Sequence, residues 1–279
     1  MAEPRSADVT MAERSLKPGD AIGILGGGQL GRMLALAAAR LGFRSHVLAP
    51  EPDSPAFDVC AKRFVAAYDD EQALKALSAS VACVTYEFEN VPARAVEILS
   101  GRTPVRPGAK ALAVCQDRLL EKTLARELGA PTAPFAPVES LEELRQRLAE
   151  IGTPSILKTR RFGYDGKGQF VLRAAEDAEA AWAAVKGASC ILEGFVAFRC
   201  EVSVIAARGL DGVVRAYPVT ENEHRDQILR RSIAPAGIHP TTARAAIELA
   251  EKIGAALDYV GVFGLELFVS GEGRGETLH

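Results

Sequence analysis

Short apolar runs alternate along this chain with stretches in which apolar residues recur every three or four positions. The first pattern marks buried strands and the second marks helices with one buried face. Residues 21–25 form the first apolar run. Three glycines then lead into a helical pattern over 29–41, closed by Gly42, and residues 45–48 read as a second strand. Together these make a βαβ opening. A helix over 70–78 and a buried strand over 81–85 follow, and the Pro104–Pro107 region closes a first domain. Residues 110–128 read as one long helix ended by Gly129, and 130–137, with three prolines, as a linker. A helix over 141–151 carries a capping box, Ser140 with Glu143, and ends at Gly152. Two β-like runs, 155–159 and 169–173, flank a glycine-rich loop. Beyond them come a helix over 175–184, strands at 189–193 and 199–207, a hairpin turn at 210–212, a return strand at 213–217, a helix over 241–257 and an apolar strand over 260–269.

Composition narrows the class without changing this picture. A chain of 279 residues with 48% hydrophobic and 25% charged content is long enough for about two globular domains. The net charge of −3 offers no nucleic-acid surface. No apolar run approaches the roughly 18 residues of a membrane span. Residues 1–20 are polar and lack the apolar centre of a secretory signal, so they read as a disordered extension in which Met11 is an alternative start. The five cysteines are scattered and form no C-x-x-C pair, which points to free thiols in a reducing cytoplasm.

The chemistry concentrates in K-T-R-R-F-G-Y-D-G-K-G-Q, residues 158–169. Glycines at 163, 166 and 168 let backbone amides approach a ligand, and cations at 158, 160, 161 and 167 favour an anion. The stretch is a hairpin over a polyphosphate rather than a Walker A loop, which would need G-x-x-x-x-G-K-[ST] ahead of a helix. A solvated basic turn is the plainer alternative. Gly26, Gly28 and Gly31 fit G-x-G-x-x-G, with Glu51 about 20 residues on, so a dinucleotide-binding dehydrogenase is a rival reading. The strand at 81–85 runs into Y-E-F-E-N-V-P, which puts Glu87, Glu89 and Asn90 beyond a strand's carboxyl end, where open α/β sheets bind ligands. Asn90 as the cap of a helix starting near Pro92 explains the same residues. D-R-L-L-E-K, residues 117–122, reads as a charged outer helix face. Glu266 is a carboxylate inside an apolar strand, expensive unless paired or bound to a cation, with an edge strand facing water as the plainer alternative.

Taken in order, these motifs resemble the ATP-grasp carboxylate–amine ligases. The glycine-rich α/β domain is followed by D-R-x-x-x-K, a strand ending in Lys158, G-Y-D-G-K-G-Q, E-G-F-V, E-V-S, E-N-E-H and a glutamate in a late strand. G-G-G-Q-L-G-R-M-L and Y-P-V-T-E-N-E-H are similar to the members that carboxylate 5-aminoimidazole ribonucleotide in purine biosynthesis. The resemblance covers residues 21–279 and implies an α/β fold. A Rossmann-like pre-ATP-grasp domain would occupy 21–108, a linker helix and small α+β lid 109–197, and the C-terminal ATP-grasp part 198–279.

The implied reaction joins ATP, bicarbonate and the aminoimidazole ribonucleotide, giving the N5-carboxylated ribonucleotide, ADP and phosphate, with Mg²⁺ as cofactor. The implied setting is cytoplasmic and the implied assembly a homodimer, with no nucleic-acid or membrane partner. On the matching positions, Arg118 and Lys158 resemble the ATP phosphate contacts. Gly163, Tyr164, Asp165, Gly166, Lys167, Gly168 and Gln169 resemble the glycine loop that closes over them. Lys158, Asp165 and Lys167 make the implied catalytic set. Glu193, Gly194, Phe195 and Val196 resemble the adenine-holding hinge, with Glu193 accepting from the exocyclic amine. Glu201 resembles the ribose carboxylate, His224 a further nucleotide contact and Glu266 the first magnesium ligand. Gln29, Leu30, Glu87 and Tyr164 would face the ribonucleotide, which makes the dehydrogenase a distant reading. The family continues past this late strand into N-E-x-A-P-R, and the present sequence stops at G-E-G-R-G-E-T-L-H. The C-terminal part is therefore expected to be incomplete, and a catalytically silent ATP-binding fragment and a formate-dependent glycinamide ribonucleotide transformylase-like ligase are the alternatives.

Overall fold

In the computed structural model, which describes residues 15–163 and 167–279, the chain forms two units that divide between Arg106 and Pro107. Part of the expected N-terminal extension, residues 1–14, lies outside the described residues.

The first unit is built on a parallel sheet. β1 (Ala21–Leu25), β2 (Arg44–Ala49), β3 (Lys62–Val65) and β4 (Cys83–Tyr86) pair in the order β3-β2-β1-β4. The chain steps outward from β1 to β3, then returns to the other side of β1 to form β4. This reversal leaves a crevice beyond the carboxyl ends of β1 and β4, the usual ligand position in such sheets. Helices α1 (Gln29–Arg40), α2 (Glu71–Ser78) and α3 (Ala93–Ser100) complete the unit. Ile24, Ala35 and Val47 are buried together in its core. Pro92, not Asn90, stands at the N-cap of α3; Asn90 lies two residues earlier, its amide 3.4 Å from Glu89.

The second unit departs from expectation at its start. The expected long helix is two helices, α4 (Ala109–Cys115) and α5 (Arg118–Glu127). The break has a local cause: the Asp117 carboxylate accepts a hydrogen bond from Leu119 N–H at 3.0 Å and starts a new helix. The expected proline linker also contains a strand, β5 (Phe135–Val138). It is an edge strand, where proline is tolerated. With β6 (Ser155–Thr159), β7 (Gln169–Leu172) and β8 (Cys190–Gly194) it forms an antiparallel sheet in the order β5-β8-β6-β7. Leu157, Leu172 and Leu192 on one face pack with Leu144, Leu148 and Ala181 of α6 (Leu141–Ile151) and α7 (Ala178–Ala184).

The rest of this unit is a larger antiparallel sheet. β9 (Cys200–Arg208) carries β10 (Val214–Ala216), the hairpin of β11 (Thr220–Arg225) and β12 (Ile228–Ile233) pairs on one side, and β13 (Gly261–Ser270) with β14 (Thr277–Leu278) on the other. Val202, Val204, Leu267 and Val269 face Ala246, Leu249 and Ala250 of α8 (Pro240–Ala256). Alternation turns the intervening residues, Glu201, Ser203 and Glu266 among them, to the opposite face. No helix among the described residues is long and apolar enough to cross a membrane.

Candidate active site

Strand alternation sorts the smaller sheet of the second unit into an apolar face and a charged one. Lys158 lies opposite Ile191, and Glu193 opposite Ile156, so both charged groups share the face turned away from α6 and α7. Lys158 Nζ donates to Glu193 Oε2 at 3.0 Å, and Lys122 Nζ of α5 reaches the same oxygen at 3.3 Å. Glu193 is only 6% exposed. Its second oxygen, Oε1, is buried with no hydrogen-bond partner among the described residues. Such an orphan acceptor costs about 1–3 kcal/mol, a cost that a ligand N–H would remove. Burial lowers the pKa of Lys158; Glu193 opposes the shift, and the cations of Lys122 and Arg118 add to it.

The D-R-x-x-x-K helix therefore does not present an outer charged face, contrary to the simplest reading of its sequence. Arg118, Lys122 and Arg126 recur at four-residue spacing on one side of α5. Arg118 Nη2 donates to Gly163 O at 3.1 Å, Lys122 reaches Glu193, and Arg126 lies 4.4 Å from the centre of the Phe135 ring. Asp117 ties the start of α5 to the glycine loop, accepting from Arg160 Nε at 3.0 Å and Nη2 at 2.6 Å. Burial disfavours the Asp117 carboxylate, but the Arg160 hydrogen bond and the Leu119 N–H outweigh it, and its pKa falls below the ordinary value.

At the far end of the loop, Thr159 N–H donates to Gly168 O at 2.7 Å. Gly168 has φ +73°, and a Cβ there would stand 2.5 Å from Thr159 Oγ1. Lys167 occupies the same turn. Gln169 Nε2 donates to Gln227 Oε1 at 2.9 Å, at the tip of the β11–β12 hairpin. Tyr164, Asp165 and Gly166 lie outside the described residues. In the E-G-F-V segment, the amides of Gly194 and Phe195 already donate to Pro134 and Pro154 carbonyls, at 2.8 and 3.2 Å.

The polar face of the larger sheet gathers the remaining candidates. His224 Nδ1 lies 2.7 Å from Glu201 Oε2. Beside them, Asn222 Nδ2 donates to Ser203 Oγ at 2.6 Å, and Ser232 Oγ donates to Asn222 Oδ1 at 2.8 Å. Glu266 is opposite Ser203. It is exposed and makes no ion pair among the described residues. The expectation of a costly carboxylate buried in an apolar strand is thus corrected. Only alternate residues of β13 enter the core, and Glu266 points the other way.

In the first unit, a cavity of about 600 Å³ lies at the crevice and is lined in part by Gly28, Glu51, Asp53, Tyr68, Glu87 and Phe88. Glu87 is fixed by accepting from Gly28 N–H at 2.8 Å and from Gly31 N–H. This carboxylate fills the helix terminus that a dinucleotide's pyrophosphate would need, which overturns the dehydrogenase reading. The glycine fingerprint instead makes room for Glu87: a Cβ at Gly31 would stand 2.8 Å from Glu87 Oε2 and 2.5 Å from Gly26 O. Burial, with Glu51 and Glu87 nearby, pushes the Tyr68 phenol up to about 12, so it stays neutral. Gln29 and Leu30 are exposed on the first turn of α1.

Comparison with known proteins places this arrangement. A family described as the ATP-grasp domain matches residues 123–274, and the ribonucleotide synthetase preATP-grasp domain matches residues 20–116. The N5-carboxyaminoimidazole ribonucleotide synthase of Brucella melitensis is 50% identical over 265 residues, covering 94% of this chain and 73% of the relative. The chain belongs to the ATP-grasp ligases, with the N5-carboxyaminoimidazole ribonucleotide synthetases. A crystal structure of such a synthetase as an ADP complex superposes with a TM-score of 0.89 at 40% identity, over 95% of this chain and 70% of that one. An Aspergillus clavatus N5-carboxyaminoimidazole synthase in complex with ADP and 5-aminoimidazole ribonucleotide matches with a TM-score of 0.84 at 30% identity, over 94% and 69% of the two chains.

Against that family, the sequence reading missed Asp117, Arg160 and Lys122 as structural partners of the site. The signal for the last was available: cations at 118, 122 and 126 lie one helical turn apart, the spacing of a single face. The metal-binding expectation rests on Glu266. Among the described residues no group of three or more His, Cys, Asp or Glu side chains converges on one point. A single exposed carboxylate with no ion pair among the described residues nevertheless fits Mg²⁺, which is often held by one or two carboxylates and completed by substrate phosphates.

Proposed function

We propose that the chain binds Mg-ATP on its second unit and supports carboxylation of 5-aminoimidazole ribonucleotide by bicarbonate, yielding the N5-carboxylated product, ADP and phosphate. The observation that carries the reading is the buried Glu193, paired on one oxygen with two lysines and left, among the described residues, with one unpartnered acceptor. That acceptor suits the exocyclic amine of adenine. Lys158 and Arg118 supply fixed cations for the phosphates. Glu201 offers oxygen acceptors to a ribose, and His224 holds Glu201 in place. Glu266 would hold Mg²⁺, whose contribution when bound is neutralisation of phosphate charge.

Bicarbonate is a poor electrophile. Transfer of the γ-phosphoryl group to a bicarbonate oxygen, with ADP leaving, makes carboxyphosphate, and attack by the substrate amine then releases phosphate. Such a transfer needs positioning and charge neutralisation more than covalent help from the protein. The residues supply both, since Lys158 and Arg118 sit on a strand end and a helix face whose partners fix them. The first unit would take the ribonucleotide in its acidic cavity, where Glu87, Glu51 and Asp53 suit the ribose hydroxyls and the amine. We further propose a homodimer in the cytoplasm, following the family.

ADP release measured with one co-substrate omitted at a time tests this. Release should depend on both the aminoimidazole ribonucleotide and bicarbonate. Release supported instead by glycinamide ribonucleotide with formate would assign the chain to a different ligation.

A further inference from the structure

The proposed site asks two things of Lys158. It neutralises Glu193 at 3.0 Å, and its ammonium is also needed at the ATP phosphates. If Lys158 served only the phosphates, a carboxylate that is 6% exposed would lose its counter-ion, and an uncompensated buried charge is strongly unfavourable. The structure holds a second cation ready. Lys122 Nζ lies 3.3 Å from the same Glu193 oxygen and comes from a different element, α5. That helix is anchored independently, by the Asp117–Arg160 pair at its start and by Arg118 on Gly163 O.

We propose that Lys122 is a positioning residue for the nucleotide: it is the standing counter-ion that keeps Glu193 ionised and oriented, so that Glu193 Oε1 accepts from a 6-amino purine while Lys158 serves the phosphates. This rests on the nucleotide reading of the site. An ionised carboxylate can only accept hydrogen bonds, so a held Glu193 welcomes the amine of adenine and repels the 6-oxo group of guanine. Lys122 would therefore influence base choice without touching the base. Its side chain is 29% exposed, so removing its charge leaves the apolar core intact.

The test is calorimetric titration of the full chain with ATP and with GTP, for wild type, Lys122→Met, Lys122→Arg, Glu193→Gln and the Lys122→Met/Glu193→Gln double variant. Lys122→Met should weaken ATP binding about tenfold, the scale of one charge-assisted hydrogen bond. GTP binding should change little, so the preference for ATP narrows, and Lys122→Arg should restore most of it. In the Glu193→Gln background, Lys122→Met should have almost no further effect, because its route through Glu193 is already gone. Equal losses for ATP and GTP, or an undiminished loss in the Glu193→Gln background, would overturn the assignment. Wild-type protein that binds no ATP would overturn the nucleotide reading as well, whereas intact wild-type binding with an insensitive Lys122→Met overturns this inference alone.

Discussion

Asp117 accepts two hydrogen bonds from Arg160, at 3.0 Å from Nε and 2.6 Å from Nη2, while its backbone opens α5. One carboxylate thus caps a helix and ties down the strand end that carries Lys158. Its pKa lies below the ordinary 3.8, because the Arg160 and Leu119 donors outweigh the opposing effect of burial. A carboxyl with a depressed folded-state pKa stabilises the fold above its ordinary pKa, and that contribution is lost as pH falls through the lowered value. Asp117→Asn should cost about 1.5–3 kcal/mol at neutral pH, the range for a hydrogen bond to a charged group. It should also flatten the decline in stability below about pH 4. Thermal melts of both proteins across pH check this, and parallel curves would argue against the pair.

The first unit offers a separate test. Glu87 accepts from Gly28 and Gly31 N–H at the N-terminus of α1. Glu87→Gln keeps the shape but removes the charge that favours a helix N-terminus, and should cost about 1 kcal/mol. Gly31→Ala should cost more, about 1–3 kcal/mol, because its Cβ would press against Gly26 O at 2.5 Å. Urea unfolding followed by circular dichroism measures both, and an equally stable Gly31→Ala would contradict the packing described.

Gly168 couples backbone shape to the proposed phosphate site. Its φ of +73° and the closeness of Thr159 Oγ1, 2.5 Å from a would-be Cβ, leave no room for a side chain. Gly168→Ala should displace the loop rather than the core. The expected outcome is a melting temperature within a few degrees of wild type, on the scale of about 1 kcal/mol, with ATP binding at least tenfold weaker, about 1.4 kcal/mol.

Glu266 faces solvent on the polar side of the larger sheet, opposite Ser203. Glu266→Gln retains size and hydrogen bonding but removes the hard anionic oxygen that Mg²⁺ prefers. The magnesium concentration needed for half-maximal ATP binding should rise several-fold, with binding of metal-free ATP unaffected. An unchanged magnesium dependence would remove Glu266 from the metal site.

Much of this was legible in the sequence because local rules fix it. The β1–α1 opening, the capped α6, the 210–212 turn and the late strand all follow from periodicity and turn chemistry. The failures share a cause in non-local pairing. Asp117 starts α5 by a local cap, but its place in the site depends on Arg160, which is 43 residues away. β5 is a strand only because β8 offers it a partner, despite its proline. The glycine fingerprint of α1 looked like a dinucleotide turn because nothing local announces that Glu87, from β4's end, fills it. Glu266 looked buried because an apolar strand hides its alternation when small and large residues share the open face. At the proposed nucleotide site, motif order pointed to Lys158 and Glu193, and the spacing of Arg118, Lys122 and Arg126 marked one helix face, but only the fold brings Lys122 to Glu193.

The charged face around Lys158 is proposed to hold ATP by its phosphates. Titration calorimetry of Mg-ATP into wild type and Lys158→Ala tests it most directly. Wild type should bind measurably, and the variant's dissociation constant should be about a hundredfold higher, the scale expected when one charged group is removed from a desolvated site. Equal affinity in the two proteins would contradict the claim.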